Sequence, residues 1–227
     1  MAVVRDLRRG PGDLRLILAS ASPRRRHLLG VLGFPFEVVV ADVDETPLAG
    51  EAPEALASRL AQSKALTIAQ THPSAVILAA DTVVALGDQL LGKPADAAEA
   101  QAMLLSLRGR AHRVLTGLVV RSASGAHSYA VTTTIVWMRE YGDDEIEQYV
   151  ATGRPLDKAG AYAIQDPEFR PVARIEGCYP NVVGLPLCEV GRALAQAGLP
   201  ISAADTAAGR QSPCTLCALA RDAEPPA

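Results

Sequence analysis

The chain has 227 residues, 49% of them hydrophobic and 21% charged, with a formal net charge of −3. That composition suits a globular protein with a substantial core, in one larger α/β domain or two lobes. It excludes an overall basic field for nucleic acid, so any positive site must be local. The opening MAVVRDLRRGPGDLR lacks a signal peptide's apolar core, and no apolar run approaches bilayer length. A cytoplasmic protein without membrane contact is expected.

In chain order, LRLILAS (14–20) reads as a buried strand and RRHLLGVLG as a helix closed by Gly33. FEVVVAD is a second strand, followed by a Pro- and acid-rich loop, DVDETPLAGEAP. A long helix is predicted from about Glu54 to Gln70, with Leu56, Leu60 and Ile68 on one stripe. SAVILAADTVVAL is a third strand, and GDQ turns the chain into LLGKP. Asp96 and Glu99 open a helix holding Met103, Leu104 and Leu107. Two long β segments, HRVLTGLVVRSAS and HSYAVTTTIVWMRE, join near Gly125 as an antiparallel ribbon. DDEIEQYVATG is a short amphipathic helix ending at Gly153, and a polar loop and a strand near Val172–Ile175 follow it. NVVGLPLCEVGRALAQAG is expected as one closing helix distorted by Gly184 and Pro186. Residues 14–199 are read as the domain, 1–13 as an extension, and 200–227 as a tail carrying Cys214 and Cys217. That CxxC lacks a second ligand pair to complete a structural zinc site.

The helix start at LASASPRRR is unusual. Ser22 suits an N-cap and Pro23 the first helical position, which puts Arg24, Arg25 and Arg26 in the first turn. Acidic residues are normally favoured there, beside the positive end of the dipole. Free backbone N–H groups and guanidiniums together suit a phosphate. The alternative is solvated surface charge.

The lysines and acids add to this. The chain has 19 arginines and only three lysines, Lys64, Lys93 and Lys158, so each lysine is a candidate for a site that needs a compact ammonium. Lys64 lies on the apolar stripe, i+4 from Leu60, where snorkelling is the competing reading. Lys93 and Lys158 lie in turns, where ordinary loop charge competes with a shared phosphate cage. Asp81 interrupts an apolar strand, a costly place for an unpartnered carboxylate. With Asp42, Asp44 and Glu45 in the acidic loop, it could hold a hard divalent cation against phosphate oxygens. His112 and His127 are read as ordinary strand residues without evident partners, and Trp137 as core.

Seven fragments, LASASPRR, ADVDETP, LAQSKA, AADTVV, LGKP, LDKAGAYAIQ and NVVGLPL, occur in order from about Leu16 to Leu187. Together they resemble the successive motifs of the Maf family of nucleotide pyrophosphatases. The resemblance implies an α/β fold of two lobes, a mixed central sheet flanked by helices around a nucleotide cleft, of the Maf or ITPase-like kind. It implies metal-dependent hydrolysis of a nucleoside triphosphate to monophosphate and pyrophosphate, with Mg2+ or Mn2+ as the cofactor. On the matching positions, Asp81 is the proton acceptor or a metal ligand, and Glu45 its partner at the metal. Arg24, Arg25, Lys64 and Lys93 hold the polyphosphate, with Ser20 and Ser22 donating at the turn and Lys158 among the substrate-binding residues. Thr82 after the key aspartate and Gln165 in AYAIQ resemble the dTTP/UTP branch, which extends to modified pyrimidine nucleotides; the 7-methyl-GTP branch carries glutamine and glutamate there. A 7-methyl-GTP or broader pyrophosphatase, and a non-catalytic nucleotide-binding regulator of cell division, are the rival readings. The expected partner is the nucleotide, and the only macromolecular partner allowed for is a second copy of the chain.

Overall fold

The structure, a computed structural model, describes residues 14–199. The elements run β1 (Leu16–Leu18), α1 (Pro23–Val31), β2 (Glu37–Val38), α2 (Pro53–Thr71), β3 (Val76–Leu86), β4 (Gln89–Leu91), α3 (Ala97–Leu107), β5 (Ala111–Arg121) and β6 (His127–Met138). After α4 (Asp143–Ala151) come two short 3-10 turns, Arg154–Asp157 and Ala159–Ala161, then β7 (Val172–Glu176), α5 (Tyr179–Val183) and α6 (Leu187–Gln196). The extension, the tail and its Cys214–Cys217 pair lie outside the described residues.

One mixed sheet has the order β2-β1-β3-β5-β6-β7, with β4 pairing β3. β1 is parallel to β2 and β3, and every other pairing is antiparallel. Alternation along β3 sorts the packing. Leu78 and Ala80 join α1 and α6 in one core, while Val84 and Leu86, on the same face but further along, join α3 and α4 in another. Ile77, Ala79 and Val83 face the other way, under α2. The mixed sheet flanked by helices is the expected fold.

The ladders leave one gap that positions the site. β1 pairs β3 only from Val76 to Leu78, and β4 pairs it only from Val84. Neither covers Ala79–Val83 on that edge, so Asp81 and Thr82 lie at an opening beyond the carboxyl end of β1. Ligands of open α/β sheets bind at such carboxyl ends.

Three expectations needed correction. FEVVVAD gives a strand only over Glu37–Val38, because its partner β1 is three residues long and turns away at Ala19 into α1. The single closing helix is two helices, since Gly184 at φ +125° and Pro186 break the ladder between α5 and α6. Trp137 is half-buried rather than core. It sits at the register shift between β6 and β7, with the Arg174 guanidinium 3.4 Å above its ring.

Candidate active site

The gap opens into a cleft of about 750 Å³. Ser20, Ser22, Arg24, Arg25, Glu45, Lys64, Asp81, Thr82, Lys93, Lys158 and Gln165 all line it. They come from the β1–α1 junction, the acidic loop, α2, β3, the turn after β4 and the 3-10 region. Five cations face three carboxylates, counting Asp157, so the lining carries a net charge of +2 in a chain of −3. All three lysines of the chain lie here. Arg26 is exposed and does not line the cleft.

At the foot of the cleft Lys64 Nζ lies 2.5 Å from Asp81 Oδ1 and 2.6 Å from Glu45 Oε1. Both Lys64 and Asp81 are buried, which favours the cleft reading of Lys64 over snorkelling. Burial tends to raise the Glu45 pKa, but the Lys64 ammonium, with Lys93 and Arg25 behind it, outweighs that and holds it below the usual carboxylate value. The loop that delivers Glu45 is pinned to α2. Arg59 donates to both oxygens of Glu51 at 2.7 Å and to the Thr46 carbonyl at 3.1 Å. That bond, with Leu48 N–H, brings the Glu51 carboxyl down to about 2. Asp44 closes the turn by accepting from Thr46 N–H at 2.9 Å, and neither it nor Asp42 lines the cleft.

Two carboxylates converging on one cation are a hard-oxygen pair. Among the described residues no group of three or more His, Cys, Asp or Glu could hold a metal ion. A magnesium-type ion is commonly held by one or two carboxylates with phosphate oxygens and water completing its shell, so Asp81 and Glu45 fit such an ion only in company with a phosphate ligand.

The opposite wall is built on α1. Ser22 Oγ accepts from Arg25 N–H at 3.4 Å, capping the helix as the sequence suggested. Ser20 Oγ accepts from Ser22 N–H at 3.2 Å and from Arg25 Nη1 at 3.3 Å. Arg25 also donates from Nε to the Gly184 carbonyl at 2.9 Å and from Nη2 to Thr82 Oγ1 at 2.9 Å. Burial lowers the Arg25 pKa and Asp81 works against that. Arg24 Nη1 donates to Asp157 Oδ2 at 3.1 Å, and Lys158 Nζ to Asp157 Oδ1 at 2.5 Å. Asp157 therefore ties two cleft cations across the mouth, a role no spacing in the sequence signals.

Gln165 sits in the wall formed by residues 162–165. That wall is braced from beneath, because Tyr162 OH is 2.7 Å from His112 Nε2. His112 thus has the partner that strand reading could not supply. Burial pulls its imidazole down to about 4, and pushes the Tyr162 phenol up.

Similarity to known proteins follows the same residues. The family profile described as Maf-like protein matches residues 15–197. The chain belongs to the Maf family. The Maf-family match takes in every residue that lines the cleft, from Ala19 to Gly184. A dTTP/UTP pyrophosphatase of Myxococcus xanthus is 54% identical over 187 residues, 82% of this chain and 94% of that protein. Those of Thermomicrobium roseum and Geobacter sulfurreducens are 50% and 47% identical, over 91% and 81% of this chain and 94% and 97% of those proteins. A solved nucleoside-triphosphatase / dITP/XTP pyrophosphatase from Mycobacterium abscessus aligns over 82% of this chain and 98% of its own, at 15% identity and a TM-score of 0.42.

Proposed function

We propose that the chain is a nucleoside triphosphate pyrophosphatase that hydrolyses dTTP and UTP between the α and β phosphates. The observation that carries this reading is the Asp81–Lys64–Glu45 bridge at the foot of a cleft with a net positive lining. Relatives at about half identity named dTTP/UTP pyrophosphatase support the choice of substrates.

Asp81 takes the proton of the attacking water as the α–β bridge P–O bond breaks and pyrophosphate leaves. Lys64 orients both carboxylates and favours the charged form of Glu45. Arg24, Arg25, Lys93 and Lys158 hold the phosphates, and Ser20, Ser22 and the first N–H groups of α1 add neutral donors. Asp81 and Glu45 would hold a divalent cation, Mg2+ or Mn2+, which when bound lowers the pKa of a water and offsets phosphate charge. Gln165 reads the base; its amide N–H can donate to a pyrimidine carbonyl.

No helix of the described residues is long and apolar enough to cross a membrane. We place the enzyme in the cytoplasm with the nucleotide as its partner and a homodimer as the assembly to check by light scattering. The functional test is pyrophosphate release from dTTP, UTP, 7-methyl-GTP and ATP, with and without EDTA. Release from dTTP and UTP, abolished by EDTA, is expected. Preference for 7-methyl-GTP would move the chain to the other branch, and no release from any of the four would leave a nucleotide-binding regulator.

A further inference from the structure

Thr82 sits between Arg25 and the interior of the sheet. Its Oγ1 is 2.9 Å from Arg25 Nη2 and 3.0 Å from Thr116 Oγ1. Thr116 is fully buried on β5, directly across the ladder from Thr82. Its hydroxyl reaches the Asn181 carbonyl at 3.2 Å.

Each hydroxyl has one hydrogen to give, and this fixes the direction of the whole chain. A carbonyl can only accept, so the Thr116 hydrogen goes to Asn181. The Thr82 hydrogen then goes to Thr116, and Thr82 accepts from Arg25. The reverse assignment would press two bare oxygens together at Thr116 and Asn181. It would also leave the Thr82 hydrogen without a partner among the described residues. Thr82 therefore has no hydrogen left for a base.

The far end of the relay is rigid. Asn181 is fully buried, and its Nδ2 donates to the Val114 carbonyl and to Thr134 Oγ1, both at 3.0 Å, which ties α5 to β5 and β6. Three residues on, Gly184 gives its carbonyl to Arg25 Nε. Its φ is +125°, and an added Cβ there would stand in ordinary contact with Arg25 Nε and Thr82 Oγ1, each at 3.5 Å. Ser20, Thr82 and Gly184 together take three of the five guanidinium N–H groups. Two remain for a ligand.

We propose that Thr82 serves the reaction as a positioning residue for Arg25 and not as a hydrogen-bond donor to the base, with Thr116 and Asn181 as the buried continuation of the same device. A guanidinium fixed in advance spends no ordering entropy when the phosphate arrives. The proposal rests on the phosphate-binding role given to Arg25 above.

The test compares Thr82→Val, Thr116→Val and Thr116→Ser with Arg25→Ala, each checked for an intact melting transition. The readouts are kcat and KM for dTTP, the inhibition constant of inorganic pyrophosphate, and the preference for dTTP over GTP. Thr82→Val should raise the KM for dTTP and the inhibition constant of pyrophosphate about tenfold, the worth of one hydrogen bond to a charged group, and Thr116→Val, which removes only a neutral bond behind it, should raise both by a few-fold. The dTTP preference should not move, and Thr116→Ser should restore wild-type values. If Thr82→Val instead changes the preference while pyrophosphate binding stays normal, Thr82 reads the base and the proposal is wrong. Folded Thr116→Val with unchanged constants, beside a damaged Arg25→Ala, overturns the relay alone. An Arg25→Ala variant with unchanged constants overturns the phosphate reading as well.

Discussion

Gly117 is expected to matter to catalysis although it touches no substrate. It pairs with Asp81 across the β3–β5 ladder and lies directly beneath α2. A Cβ at this position would stand 2.2 Å from the Ala57 carbonyl oxygen, 2.4 Å from its carbon and 2.8 Å from Ser58 N. All three are backbone atoms, so no side chain can swing aside. Ordinary contact begins near 3.4 Å, so the helix must retreat by 3.4 − 2.2 = 1.2 Å. Lys64 rides on the same helix, and its 2.5 and 2.6 Å bonds to Asp81 and Glu45 would open by a comparable amount. Misplacing reacting groups by an ångström costs about 100-fold in rate. Overpacking costs about 1–3 kcal/mol, and removing a strand glycine returns about 0.5–1 kcal/mol of it. A net loss of about 1–2 kcal/mol lowers the melting temperature by roughly 2–8 °C in a domain this size. Gly117→Ala should therefore melt a few degrees early and release pyrophosphate from dTTP about 100-fold more slowly. Gly30→Ala is the control, since an added Cβ there meets nothing within 4 Å; it should keep full activity. Wild-type rate and melting temperature in Gly117→Ala would refute the reasoning.

His112 has a folded pKa of about 4 against an ordinary 6.5. Between those values the unfolded chain binds a proton that the folded chain refuses, so stability falls by about 3 kcal/mol as the pH drops from 6.5 to 4. Urea midpoints across that range should show the fall, and His112→Gln should remove most of it; an equally steep fall in the variant would assign it elsewhere. Glu45→Gln should raise the metal concentration for half-maximal rate several-fold, because it removes one of two carboxylates from the metal. An unchanged titration would mean that the loop does not reach the ion. Arg24→Ala and Lys93→Ala should each lose about 2 kcal/mol of transition-state binding, near 30-fold in kcat/KM, with little change in melting temperature. Wild-type kcat/KM would return both to the surface.

Arg24, Arg25, Lys64 and Asp81 were legible because each broke a local rule. Arginines stood where a helix prefers acids, a lysine lay on an apolar stripe, and an aspartate interrupted an apolar strand. Each needs a partner that local sequence does not supply, and the fold brings Arg25, Lys64 and Asp81 into one cleft. The acidic loop was read less finely, because Asp42, Asp44 and Glu45 look alike until Arg59 pins the loop and turns only Glu45 inward. Thr116, Asn181, His112 and Asp157 carried no signal. Their partners are distant in sequence: Thr116 is 34 residues from Thr82 and 65 from Asn181, His112 is 50 from Tyr162, and Asp157 is 133 from Arg24. Such contacts depend on strand register, which hydrophobic pattern leaves open by whole steps of two. The break between α5 and α6 was visible as Gly184 and Pro186, but nothing local showed that the carbonyl freed there would hold Arg25.

The central claim is that Asp81, held by Lys64 in the positive cleft, takes part in hydrolysing dTTP and UTP. The most direct measurement is pyrophosphate release from dTTP by wild type and by Asp81→Asn, with circular dichroism and melting to show that the variant folds. Asparagine keeps the size and the contact with Lys64 but cannot accept the proton of the attacking water. The account predicts a folded variant whose turnover is lower by about two orders of magnitude or more. A folded Asp81→Asn protein that releases pyrophosphate at nearly the wild-type rate would contradict it.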